Sequence, residues 1–192
     1  MNTALFKKTT NLLAIILLPL SYAQAMPITP ATKPFLDQIA TNTSIISALQ
    51  KHAQTTKHIS HYRANKLNKI WRQQMTNRKQ PLIKPIINNP LARQLAGLVR
   101  KSHGQLDAIW ILDNQGFSLA QSKMLSRYWF GDLAVWKKSI HAKPGHWYIG
   151  ERHKLYGQKI RAISLSIPIV NQQKKVIGVL AADEIIGNSN NG

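Results

Sequence analysis

Residues 159 to 185 read K-I-R-A-I-S-L-S-I-P-I-V, then N-Q-Q-K-K, then V-I-G-V-L-A-A-D-E-I. The first run alternates apolar and polar residues through Ile160, Ala162 and Ser164, as a half-buried strand does. The five polar residues after it read as a turn, and the last run as a second strand. Upstream, L-D-A-I-W-I-L-D (106 to 113) is a strand rich in apolar and aromatic residues. It enters D-N-Q-G, whose Asp113 and Gly116 suit a turn, and F-S-L-A-Q-S alternates again. Residues 106 to 122 therefore predict a hairpin, and G-H-W-Y-I-G-E-R (145 to 152) a further strand. Everything after Gly104 predicts an antiparallel meander.

The half before Gly104 has a different period. Residues 26 to 34 hold three prolines and predict an extended lead-in. From Phe35 to Gln80 there is neither proline nor glycine. Phe35, Leu36, Ile39, Ile45, Ile46, Leu49 and Ala53 recur near every third or fourth residue, which predicts one long amphipathic helix. Tyr62, Leu67, Ile70, Trp71 and Met75 continue the pattern as a second helix, bent off the first near residues 57 to 61. Prolines interrupt residues 81 to 90, and residues 91 to 104 predict a short helix ending at Gly104. Helices first and strands afterwards give an α+β class. No internal repeat is visible.

At the N-terminus, Lys7 and Lys8 precede the nine apolar residues 12 to 20, and Ala23 and Ala25 follow. A basic start, a short apolar run and an A-x-A site predict a signal peptide over residues 1 to 25, cut after Ala25, and a periplasmic or secreted protein. Nine residues are too few to span about 30 Å of hydrocarbon. The chain has no cysteine, which excludes disulfides and thiol chemistry.

The 192 residues carry 26 Lys and Arg against seven Asp and Glu, a formal charge of +19. Twelve of these bases lie between Lys51 and Lys101. On helices they would form a basic face. Export argues against nucleic acid and leaves an anionic envelope surface or an acidic partner as the counterpart, or else plain solvation of a basic exported protein. No metal is expected. His52, His58 and His61 supply a pair of ligands with no second pair. No enzyme is expected either: Ser164 and Ser166 lack a G-x-S-x-G turn, and seven acids offer no close carboxylate pair.

S-R-Y-W-F-G-D-L-A-V-W-K-K, residues 126 to 138, crowds aromatics around a Gly-Asp pair. Tyr128, Trp129 and Trp136 are pocket wall or core. Asp132 is a helix cap or a partner for a ligand ammonium. Arg127 and Arg161 can grip a carboxylate through a planar fork, or simply be surface cations. Trp147 and Tyr148 point to opposite sides of a strand. Trp147 is the expected pocket residue. Asp183, after the last strand, is a ligand contact or a surface acid.

Taken in order, N-K-I-W-R (68 to 72), the strand running into D-N-Q-G, Y-W-F-G-D-x-x-x-W, S-I-P-I-V and V-I-G-V-L-A-A-D resemble the single Cache domains, PAS-like extracytoplasmic sensor modules. The likeness runs from about residue 35 to 186. It implies a long N-terminal helix packed on an antiparallel PAS-like sheet with short flanking helices. It further implies a pocket between the sheet and the aromatic segment. A small-molecule ligand is the implied partner and catalysis is not implied; the acidic marks lost at the positions below shift the expected ligand toward anionic or uncharged, and no cofactor is expected. A membrane-bound signalling partner and a homodimer through the N-terminal helix are also implied. The chain departs from the family at Arg127, Phe130, Leu133 and E-R-H-K (151 to 154), where members carry acidic or polar marks. Ending at Gly192, it is expected to have no output domain, with residues 187 to 192 a polar tail.

Overall fold

A computed structural model of the chain describes residues 32 to 155 and 160 to 188. The expected signal peptide and the end of the tail lie outside these residues.

The helical half is cut into more pieces than its apolar spacing suggests. Helix α1 spans Thr32–Ala40 and α2 spans Thr43–Thr56. The single long helix is thus interrupted at Thr41 and Asn42. Asn42 takes extended backbone and its side chain accepts from Ser44 N at 2.9 Å, which starts a new helix. The lead-in also ends sooner than its prolines suggest. Pro34 sits inside the first turn of α1, where a missing N–H costs nothing. The expected bend before the second helix is present: Ser60 caps α3 (His61–Gln74) through Arg63 N. A short α4 (Lys84–Ile87) follows. Helix α5 (Pro90–Lys101) opens with Asn89 accepting from Ala92 N at 2.8 Å and with Pro90 at its first position. It ends in two left-handed residues, His103 and then Gly104. No helix among the described residues is long and apolar enough to cross a membrane.

Five strands follow: β1 (Leu106–Asp113), β2 (Ser118–Gln121), β3 (Tyr148–Lys154), β4 (Ile160–Val170) and β5 (Val176–Asn188). Helix α6 (Ala134–Ile140) lies between β2 and β3. All pairs are antiparallel in the order β2-β1-β5-β4-β3. The arrangement is α+β, as the residue pattern predicts, but it is not a simple meander. The last strand returns to the middle of the sheet and pairs with the first, Ile109 opposite Ala182 and Ile111 opposite Leu180. Pro168 lies past the last β4 residue paired with β3, where β4 is an edge and proline is tolerated.

The side-chain period of two gives the sheet two distinct faces. Ile109, Ile111, Ile167, Ile169, Leu180 and Ala182 point to one side and pack with Leu36, Leu49 and Leu95 of α1, α2 and α5. Ala108, Trp110, Leu112, Val179 and Ala181 point to the other, toward Phe130 and α6. A third cluster lies beyond β2, where Ala64 and Trp71 of α3 meet Ile83, Ile86, Phe117, Tyr128 and Trp129. Gly178 marks the closest approach of α2 to the sheet. A Cβ there would stand 2.4 Å from Leu112 O and 2.9 Å from a Leu49 methyl.

Candidate ligand-binding site

The segment from Ser122 to Leu133 carries the aromatics, and its backbone is bonded largely to side chains. Asn68 of α3, buried at 2% exposure, does most of this. Its carbonyl oxygen accepts from Tyr128 N at 3.0 Å and Trp129 N at 2.8 Å, while its amide donates to Trp129 O at 2.9 Å. Gln121 donates to Arg127 O at 2.8 Å and accepts from Leu125 N at 3.0 Å. The Trp71 indole donates to Leu125 O at 2.7 Å, and the Trp129 indole to Gln115 O at 2.8 Å. Gly116, at φ +87°, and Gly131 touch backbone to backbone, so a Cβ on Gly116 would stand 2.5 Å from Gly131 N. A loop held by this many independent bonds is a fixed wall.

That wall, with β1, β4 and β5, encloses a cleft of about 470 Å³ on the α6 face. This volume lies in the range of small-molecule sites. Trp110, Phe130, Leu133 and Val135 give it an apolar body. The polar groups come in pairs of opposite sign. Lys123 Nζ lies 2.7 Å from the Asp107 carboxylate, and Arg127 lies 2.5 Å from Asp132. Asp183 accepts from Ser164 Oγ at 2.7 Å and faces His153 Nε2 at 3.6 Å. The Asp183 carboxylate raises the His153 pKa above 6.5 against the opposing effect of burial. The Trp110 indole N–H is buried and has no hydrogen-bond partner among the described residues.

The sequence-predicted residues divide between this cleft and the core. Arg127 and Asp183 line the cleft. Asp183 does not follow the last strand but lies within it, opposite Ser164. Tyr128 and Trp129 are core. Tyr128 stacks on Trp71 at 5.8 Å, and its burial, then Asp113, pushes its phenol up to about 12. Trp136, on α6, packs against the sheet and its indole donates to Asp113 O at 3.0 Å. Trp147 is on the opposite face, where its indole donates to Asp37 at 3.2 Å and Lys33 sits over its ring. Tyr148, opposite Ser166, takes the cleft side of β3 and lines a smaller hollow beside the cleft. Arg161 does not line the cleft. By strand alternation it shares the face of Leu165 and Ile167. Asp132 does not cap α6, whose first turn has no side-chain cap, because it is turned back onto Arg127.

Asp113 is more than a turn residue. One oxygen accepts from Gln115 N and Phe117 N at 2.9 Å each, holding the turn. The other accepts from Thr56 Oγ1 at 2.6 Å and lies 3.1 Å from His52 Nδ1, tying α2 to the hairpin.

Asp107, Trp110, Lys123, His153 and Ser164 also line the cleft, and no sequence motif marks them as site residues. Only the partners Ser164 and Asp183 left a trace, each in phase with the cleft-facing residues of its strand.

No family profile and no curated protein sequence matches this chain. Solved structures do. The sensor domain of the V. cholerae histidine kinase DctB is 18% identical with a TM-score of 0.38, covering 80% of this chain and 54% of its own. The ligand-binding domain of the Pseudomonas aeruginosa amino acid chemoreceptor PctC, solved with GABA, is 19% identical with a TM-score of 0.41, covering 81% and 62%. The E. coli DcuS sensor domain is 18% identical with a TM-score of 0.39, covering 63% and 86%. The chain spans roughly half to three-fifths of the length of the first two. These are sensor and ligand-binding domains, the kind of module the sequence resembles. The overlap is partial, and the site stands on its own geometry.

Proposed function

We propose that the protein is an exported ligand-binding sensor module of the Cache type. It takes a small anionic or uncharged metabolite into the cleft between β1, β5 and the Ser122–Leu133 segment. The observation that carries this reading is an apolar cleft of about 470 Å³ whose rim holds Lys123 and Arg127. A carboxylate or carbonyl of the ligand meets the rim cations, and its apolar part lies against Trp110 and Phe130. Asp183, Ser164 and His153 receive a polar group at the other side.

Binding without catalysis fits the same geometry. Ser164 and His153 both address Asp183 and do not address each other. Among the described residues the serine–histidine pairing that activates a hydroxyl for nucleophilic attack is therefore not formed. Export through a leader cut after Ala25 is part of the proposal, as is a membrane-bound partner that reads the filled cleft.

A thermal-shift screen of the purified protein against small carboxylates, amino acids and neutral metabolites tests this. A ligand at about a hundred times its dissociation constant adds about 2.7 kcal/mol of stability, or several degrees. A hit should weaken in Ser164→Ala, which removes only a hydroxyl from the polar side of the cleft. It should be lost in Lys123→Ala with Arg127→Ala. A blank screen on folded protein overturns the reading.

A further inference from the structure

From Gln38 to Leu106 the chain contains no acidic residue. The twelve lysines and arginines in that span are all exposed. Every ion pair among the described residues lies elsewhere or uses His52. These charges have no counterpart within the described part of the protein, and they sit on the helical half.

Helix α3 concentrates them. Its buried side is Ala64, Asn68 and Trp71. Diametrically opposite, Tyr62, Lys66, Lys69 and Gln73 run down one line at spacings of four, three and four, flanked by Arg63 and Arg72. The helix is about 21 Å long by its 1.5 Å rise. Tyr62, at the head of the line, is 82% exposed. Lys66 and Lys69 are both exposed on the outer side of the helix, so they form a ridge.

We propose that this ridge docks the protein on an anionic lipid bilayer. A ridge presents its cations together to a plane, whereas single strands of a linear polyanion are gripped in grooves. Basic residues near an anionic bilayer each contribute additively to binding. An exposed tyrosine among them suits the headgroup layer, where amphipathic rings settle. The inner side of α3 holds the cleft wall through Asn68 and Trp71, so the docked helix and the binding site are mechanically one unit.

The test is co-sedimentation of the purified protein with vesicles of phosphatidylcholine alone or mixed with phosphatidylglycerol, at low and high salt. Binding is expected only to the mixed vesicles and should fade as salt screens the charges. Lys66→Gln with Lys69→Gln should lower that affinity about thirtyfold. Lys137→Gln with Lys138→Gln removes the same charge from α6, outside the ridge, and should change it little. Circular dichroism of both double variants should match the parent. Equal losses in the two pairs would mean that net charge alone binds, and would overturn the ridge. Failure to bind mixed vesicles, with salt-sensitive retention on heparin or DNA that the α3 pair abolishes, would assign the ridge to a linear polyanion.

Discussion

The two faces of the sheet are made by the same strands and serve opposite ends. One is packed with Leu36, Leu49, Leu95, Ile109, Ile167 and Leu180, all buried and all apolar. The other brings aromatics together with Asp107, Ser164 and Asp183 around a cleft. In β1 the two environments alternate residue by residue, Ile109 and Ile111 against Trp110 and Leu112. The period of two separates the side that stabilises the fold from the side that recognises a ligand, so each can change without the other.

The largest effect should come from breaking the packed face. Leu49→Ala should cost about 2–5 kcal/mol in denaturant unfolding, because Gly178, Leu112 and α2 are too closely fitted to close the cavity. Leu133→Ala in the cleft wall should cost only about 1 kcal/mol, since its side chain is half-buried beside open space. Equal costs would mean that the cleft face is packed as tightly as the helical one.

A smaller effect separates Tyr128 from the cleft it borders. Its phenol ionises near 10 when unfolded and near 12 when folded. Between these values the unfolded chain binds fewer protons, so stability falls as pH rises, by at most about 3 kcal/mol. Tyr128→Phe should flatten that alkaline loss in denaturation curves taken across the range. An unchanged slope would mean that Tyr128 is solvated like a cleft residue.

The smallest effect is local to the cleft. An NMR titration should place the His153 midpoint above 6.5. The pair with Asp183 stabilises the fold below that value and stops doing so as pH rises through the folded midpoint. Asp183→Asn should lower the midpoint. If it does not, the two groups are uncoupled and the cleft's polar side is mis-assigned.

The strands were legible because alternation is local. The hairpin ending at Gln121 and the pair of strands after Ile160 follow from side-chain pattern alone. The break at Asn42 was hidden because apolar spacing continues across it, while the cap depends on one side-chain oxygen. The cleft was legible only at Arg127 and Asp183. Asp107 and Trp110 of β1, Lys123 after β2 and His153 of β3 come from three segments, and register slips between Leu106 and Ala108 and between Ile149 and Arg152 shift their phase. Trp147 was placed on the wrong side for the same reason. Alternation fixes that it opposes Tyr148, but only the pairing of Tyr148 with Ser166 fixes which of them meets the cleft.

The open flanks of the sheet bear on how copies of this protein meet. The flank of β2 is occupied by its own loop, with Ser118 N donating to Tyr128 O and Phe130 N to Gly116 O. The flank of β3 is broken by its slip at Gly150 and studded with Glu151, Arg152 and Lys154. Neither rim offers a straight, uncharged row of backbone groups on which another chain could continue the ladder. Fibrous stacking through the sheet edges is thereby discouraged.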